Sequence, residues 1–201
     1  MAVISIVGTS GVGKSFLVKQ LASYDCSPAF FEGEEGTIPK EIFKDIFGKK
    51  EPLKRWKWFL NRYSTTMKRA RKISDVGLNC YVDSEGHLVS YAILPTEPKD
   101  IQNKLEKLIL PFKNMQPDKI LVLSATKETL LKFFKARARS SEQRGEAIKR
   151  AMKLQEELIR LAKKQKLTVV IERDDLDFSK EEDIKLVVDL LFSPAHEGEW
   201  K

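Results

Sequence analysis

Apolar residues enter this chain in two ways, as short dense runs and as positions recurring every three or four residues. Ala2-Val3-Ile4-Ser5-Ile6-Val7 is the first dense run, β-branched and almost uninterrupted, the pattern of a strand covered on both faces. Ala29-Phe30-Phe31-Glu32, Val76 to Asp83, Lys119 to Ser124 and Leu167 to Ile171 repeat that signature. Helical spacing fills the intervals. It runs over Phe16 to Ala22, over Ile38 to Phe47 with Gly48 as the stop, and from Pro52 through Trp56, Leu60, Tyr63 and Met67. Further helices are expected from Pro98 to about Leu110, stopped by Pro111, and over Lys127 to Ala138, Glu146 to Lys166 and Lys180 to Phe192. Ser84-Glu85-Gly86-His87 reads as a turn, with His87 a turn residue, and Leu88 to Leu94 as strand or loop. Five apolar strands separated by helices predict an α/β fold, a five-stranded parallel sheet with helices on both faces. Residues 1–192 then form one domain and residues 193–201 a loose tail.

Composition adds constraints. A chain of 201 residues is long enough to bury a substantial core. The charged fraction of 32% against 42% apolar points to helices with Lys/Glu-rich solvated faces. A net charge of +7 calls for an anionic partner, either nucleotide phosphates or nucleic acid. Cys26 and Cys80 lack metal-ligand spacing and are expected as buried thiols in a reducing compartment. No apolar run approaches the length of a membrane span, so no membrane partner is expected. The first strand begins at once, without a signal peptide, so the expected location is cytoplasmic.

The strongest chemical signal lies between the first strand and the first helix. Gly8-Thr9-Ser10-Gly11-Val12-Gly13-Lys14-Ser15 matches G-x-x-x-x-G-K-[ST] in full, and strand, glycine loop and helix follow in the order that motif requires. Its glycines let backbone N–H groups turn inward around a phosphate, and the helix N-terminus adds partial positive charge at the same point. This P-loop predicts an ATP site over Gly8 to Ser15 and the adjoining Phe16, with Lys14 reaching the β- and γ-phosphates and Ser15 ligating Mg²⁺.

Other residues gain meaning from the P-loop. In open parallel sheets the ligand crevice lies at the carboxyl ends of the strands. Glu32, closing the second strand, can stand there as the base that accepts an acceptor hydroxyl's proton, although a solvated acidic loop gives the same pattern. Asp83 closes the third strand in the manner of a Walker-B acid, a second Mg²⁺ residue. Arg137, Arg139 and Arg144 fall in a short polar helix–helix junction, which suggests a phosphate-clamping lid at about 137–146. Residues 49–72 hold ten Lys or Arg against the single acid Glu51, a net of +9, interleaved with Trp56, Trp58, Phe59 and Tyr63. That stretch reads as a stacking pocket for a nucleobase, as a nucleic-acid surface, or as an amphipathic helix with one apolar and one basic face.

Several separated segments together resemble the deoxynucleoside kinases, a branch of the P-loop kinases related to thymidylate kinase. Trp56-Lys57-Trp58-Phe59-Leu60-Asn61-Arg62-Tyr63, followed by Lys68, is similar to that family's aromatic substrate helix, W-x-F-x-F-Q-x-Y leading to S-R. Pro117 to Leu123 followed by Leu131 to Arg139 is similar to its strand-to-lid segment. Ile171 to Phe178 resembles the loop that packs on adenine, which implies Asp177 and Phe178 as ATP-binding residues. The resemblance covers most of the chain in the same order. It implies an acceptor pocket of Trp56, Asn61, Tyr63 and Lys68, with Asn61 at the glutamine that reads the base edge. The chain departs from the family's E-P at Glu32-Gly33 and from its E-R-S at Asp83-Ser84-Glu85. Asn61 and Lys68 replace a glutamine and an arginine.

These readings converge on an ATP-dependent kinase of a nucleoside, most simply a deoxynucleoside, with the P-loop nucleoside/nucleotide kinase fold. Lys14, Glu32, Arg137 and Arg139 are its expected catalytic residues, and Ser15 and Asp83 its expected Mg²⁺ residues. A thymidylate-type nucleoside monophosphate kinase is the near alternative, since Arg62, Lys68 and Arg69 could bind an acceptor phosphate. A nucleic-acid-associated ATPase using the +9 stretch is the distant one. The oligomeric state stays open, a homodimer included.

Overall fold

The computed structural model describes residues 1–31, 38–42, 51–83, 86–137, 145–165 and 168–193. Five strands form one sheet: β1 (Val3–Gly8), β2 (Ala29–Phe30), β3 (Cys80–Asp83), β4 (Lys119–Ser124) and β5 (Thr168–Glu172). Their order is β2-β3-β1-β4-β5, and every neighbouring pair is parallel. The helices are α1 (Lys14–Tyr24), α2 (Pro52–Asp75), α3 (Gly86–Ile93), α4 (Lys99–Ile109), α5 (Lys127–Arg137), α6 (Gly145–Ala162) and α7 (Glu181–Phe192). This is a P-loop NTPase fold, as the strand–helix alternation predicts.

β1 is central and buried along its whole length, which is why its sequence is an unbroken apolar run rather than an alternation. Alternate residues of the strands feed the two faces of the sheet. Ile4, Ile6, Tyr81, Leu121 and Leu123 pack against Leu17, Val18 and Leu21 of α1, Leu130 and Phe134 of α5 and Val187 and Leu191 of α7. On the opposite face Val7, Ile120 and Val122 meet Leu88, Val89 and Ala92 of α3 and Leu158 and Ala162 of α6. Val3, Cys80 and Val82 meet Tyr63, Met67 and Ala70 of α2.

α2 runs antiparallel to the strands and is tied at both ends. Near its start Arg55 Nη2 donates to Glu97 Oε1 at 2.5 Å and Trp56 Nε1 to the same oxygen at 3.2 Å, both inside the protein. Near its end Arg71 Nη1 donates to both oxygens of Asp118, at 2.8 and 2.6 Å, and Asp118 Oδ2 also accepts the Val3 amide at 2.8 Å. Halfway along, the Tyr63 hydroxyl donates to the Met115 carbonyl at 2.8 Å.

Three local expectations are corrected. Leu88 to Leu94 is neither strand nor loop: α3 covers Gly86–Ile93, because Leu88, Val89 and Ala92 bury one helical face against β1 and β4. The third strand is shorter than Val76 to Asp83. α2 extends to Asp75, and Gly77 in a left-handed conformation (φ 89°) turns the chain before Cys80. Cys26 is exposed, not buried. It follows the α1 cap in a left-handed conformation (φ 55°), and the Ser27 amide donates back to the Ala22 carbonyl at 3.0 Å, so the chain is turned outward there. Cys80 is buried, and burial pushes its thiol up to about 11. No helix among the described residues is long and apolar enough to cross a membrane.

Candidate active site

The crevice is built at the C-terminal ends of β1 and β3, where the chain's path along the sheet changes direction. β1 ends at Gly8, opposite Leu123 of β4. A Cβ at Gly8 would lie 2.6 Å from the Leu123 carbonyl oxygen and 3.0 Å from Val12 Cγ1, so only glycine lets the loop leave the sheet here. Gly8→Ala is therefore expected to destabilise the protein by about 2–3 kcal/mol, read by urea denaturation, because backbone rather than a flexible side chain must yield.

Gly11 (φ 82°) and Gly13 (φ 104°) are left-handed, the geometry that aims successive amides at an anion. Gly13 caps α1, so the N-terminus of that helix faces the same loop. The Lys14 ammonium is drawn back across the loop, donating to the Gly8 and Thr9 carbonyls at 3.1 Å each. Thr9 is fully buried, with a hydroxyl that has no protein partner.

Ser15 and Asp83, 68 positions apart in sequence, touch: the Ser15 hydroxyl donates to Asp83 Oδ2. The register of β3, with Asp83 opposite Ile6 of β1, brings this carboxylate to the loop. Asp83 is buried, and its Oδ1 has no hydrogen-bond partner among the described residues. An orphaned carboxylate oxygen beside a hydroxyl is a hard-oxygen site, and these donors fit Mg²⁺. That ion takes few protein ligands and completes its shell with water and phosphate oxygens. Among the described residues no group of three or more His, Cys, Asp or Glu side chains could hold a metal ion.

The loop after β5 lies beside the P-loop, with Arg173 Nε 3.8 Å from where a Gly13 Cβ would stand. Asp174 accepts from the Thr126 amide at 2.8 Å, from the Thr126 hydroxyl at 2.7 Å and from the Thr129 hydroxyl, capping the start of α5. The slight desolvation of this exposed carboxyl works against ionisation. The hydrogen bonds from Thr129 and Thr126 and the neighbouring Arg173 charge outweigh that effect and hold the carboxyl below the ordinary value of 3.8. Asp174→Ala is expected to cost about 1 kcal/mol in thermal denaturation at neutral pH. A depressed folded value means that this contribution is present above pH 3.8 and fades as pH falls through the folded value, so the wild-type advantage disappears in strong acid.

Asp177 is exposed. Hydrogen bonds from the Ser179 hydroxyl and amide hold its carboxyl low, with the charges of Lys180 and Arg173 adding to them. Phe178 is fully buried in the main core, and Phe16 is 45% exposed on the first turn of α1. Trp56 and Tyr63 lie in the interior, whereas Asn61 and Lys68 are exposed on the other face of α2. Much of the basic charge of α2 is engaged within the fold. Besides Arg55 and Arg71, the Arg62 guanidinium lies 5.2 Å over the Trp58 ring and that of Arg69 4.9 Å over Phe30. Glu32, Arg139 and most of the 137–146 lid lie outside the described residues. Arg137 ends α5, and its side chain is likewise outside them.

Two groups at this end of the molecule carry no role in the sequence reading. Glu97 binds Arg55 and Trp56 through one oxygen and keeps the other, buried, without a partner among the described residues. Arg173 lies over Phe178 at 4.5 Å and over Phe133 at 5.8 Å, beside the P-loop. Neither has a signal in sequence: a cation in Glu-Arg-Asp-Asp resembles any solvated loop, and only the fold brings it to Gly13.

A scan of protein-family models finds no match to the chain, and a search of curated sequences finds none either. Solved structures do match. A deoxyadenosine kinase from M. mycoides, described with bound dATP, aligns at TM-score 0.71 and 22% identity over 95% of this chain and 100% of its own. The same enzyme with bound dCTP aligns at 0.70 and 21% over 96% and 100%, and with the products dCMP and a flexible dCDP at 0.68 and 21% over the same shares. Over nearly its whole length, this chain has the fold of those deoxynucleoside kinase structures.

Proposed function

We propose that the chain is an ATP-dependent phosphotransferase that phosphorylates a nucleoside, in the first instance a deoxynucleoside, with Mg·ATP as donor. The observation that carries this reading is the convergence of Lys14, Ser15 and Asp83 at the C-terminal ends of β1 and β3. The fold shared with the M. mycoides structures, which are described with deoxynucleotides bound, supports the choice of acceptor.

Phosphoryl transfer asks little covalent chemistry of a protein, and positioning with charge neutralisation supplies most of the rate. The loop amides and the N-terminus of α1 hold the donor's phosphates. Lys14 exchanges its carbonyl partners for β- and γ-phosphoryl oxygens. Ser15 and Asp83 would hold Mg²⁺, which would supply charge neutralisation at the donor phosphates. Glu32 takes the acceptor hydroxyl's proton, and Arg137 and Arg139 neutralise the transferring group. Asp177 borders the donor base, and Phe178, buried in the core, anchors that loop from behind rather than touching the base. The acceptor lies along α2, with Asn61 and Lys68 toward it and the buried Trp56 and Tyr63 holding the helix in place.

The test is ADP release from Mg·ATP with a panel of nucleosides and nucleoside monophosphates, with and without single-stranded DNA. Stimulation by a deoxynucleoside, with its monophosphate identified by mass, is the expected result. Stimulation by a monophosphate alone would shift the reading to the thymidylate type. Turnover responding only to DNA would overturn it in favour of an ATPase on nucleic acid.

A further inference from the structure

Arg173 is the point at which three elements of the donor side meet. It follows β5 directly, and its guanidinium lies over Phe178, a core residue of the same loop. It also lies over Phe133, on the helix α5 that ends at Arg137. A Cβ built on Gly13 would stand 3.8 Å from its Nε, so the side chain lies against the cap of α1. An Arg173 N–H donates to the Leu176 carbonyl, which fixes the plane of the fork. The next residue, Asp174, caps the opposite end of α5 through Thr126 and Thr129.

A cation beside a helix N-terminus is electrostatically unfavourable unless an anion joins it. Asp174 and Asp177 balance part of the Arg173 charge, which helps to hold their carboxyls low. That cation still adds to the positive end of α1 and to Lys14, and a polyanion in the loop supplies the group a further anionic partner. The rings of Phe133 and Phe178 contact the same guanidinium, so a phosphate that fixes Arg173 also steadies Phe133 and hence α5. We propose that Arg173 is a positioning residue that couples donor occupancy of the P-loop to the packing of helix α5. This rests on the nucleotide-binding part of the reading above and assigns Arg173 two separable contributions. Its charge strengthens donor binding, and its planar fork, held between two rings, transmits that binding to α5.

The experiment pairs binding of a fluorescent ATP analogue with Mg²⁺, in the absence of any acceptor, with hydrogen–deuterium exchange over Lys127–Arg137. In the wild type, Mg·ATP is expected to slow exchange in α5. Arg173→Met, which keeps the stem packed on Phe178, is expected to bind roughly tenfold more weakly, the weight of one charge at a helix terminus. Even at saturating nucleotide it should lose the α5 protection. Arg173→Lys keeps the charge without the planar fork. It is expected to regain most of the affinity while α5 stays unprotected, a split that loss of packing alone would not produce. Wild-type affinity in Arg173→Met, or full α5 protection in Arg173→Lys, would overturn the coupling and leave the kinase reading intact. Should Arg173→Met fail to fold, Arg173→Lys decides by its α5 protection alone. No nucleotide binding by the wild type would overturn both.

Discussion

Lys14→Ala is expected to lose about 10²–10³-fold in turnover and to bind Mg·ATP more weakly, while folding normally. Lys14 is the first residue of α1, where alanine is a good helix former, and it is only half buried. Its two hydrogen bonds run to the carbonyls of Gly8 and Thr9, in its own loop. Losing a pair of such partly solvated bonds changes stability by about 1–2 kcal/mol at most, too little to explain a large catalytic loss. What disappears is a mobile cation poised where charge builds on the transferring phosphoryl. Lys14→Arg should not rescue it, since a planar fork does not fit a loop closed around a compact ammonium. Steady-state kinetics beside a thermal melt separates the two effects. Unchanged turnover in Lys14→Ala would remove Lys14 from the chemistry.

Asp83→Asn should show a different pattern, in which activity falls and stability does not. The carboxylate is buried, accepts from Ser15 through one oxygen and leaves the other unpaired. A buried charge with incomplete partners is costly, and an amide of the same shape still accepts the Ser15 hydroxyl while shedding that cost. The melting temperature in EDTA is therefore expected to hold or to rise. Turnover is expected to drop about 10²-fold and to recover partly as Mg²⁺ is raised, because the site loses a hard anionic donor. A Mg²⁺ titration of the variant beside its melt tests both halves. Wild-type Mg²⁺ dependence would separate Asp83 from the metal, and a large fall in stability would make its role structural.

The parts of the molecule written locally in sequence were the legible ones. β1, the glycine loop and α1 follow each other within two dozen residues, and each has its own signature of apolar run, glycine spacing and helical period. Lys119 to Ser124 was equally plain because a strand buried on both faces admits little but apolar residues. α3 was harder. Leu88-Val89-Ser90-Tyr91-Ala92-Ile93 is short and rich in β-formers, and only the tertiary fit of Leu88, Val89 and Ala92 selects helix. α2 was legible as a helix but ambiguous in its use. The same spacing of Trp56, Leu60, Tyr63 and Met67 serves a ligand pocket or a core, and in the fold all four are buried. Asp83 could be suggested from a strand-end acid, yet its contact with Ser15 depends on the register of β3 on β1. Arg173 was the least legible, because its meaning comes from Gly13 and Phe133, which are remote from it in sequence.

The contrast between the two cysteines has a practical consequence. Cys80 is shut inside the sheet with its thiol pushed up to about 11, so almost none of it is thiolate at neutral pH. Cys26 stands exposed just beyond the end of α1, a helix of 11 residues whose other end is the P-loop. A maleimide dye should therefore attach to the native protein at one position, on the pole about 16 Å or more from the phosphates. The unaltered chain thus offers a single-site optical handle, at the far end of the helix that starts from the P-loop and rigidly linked to that loop.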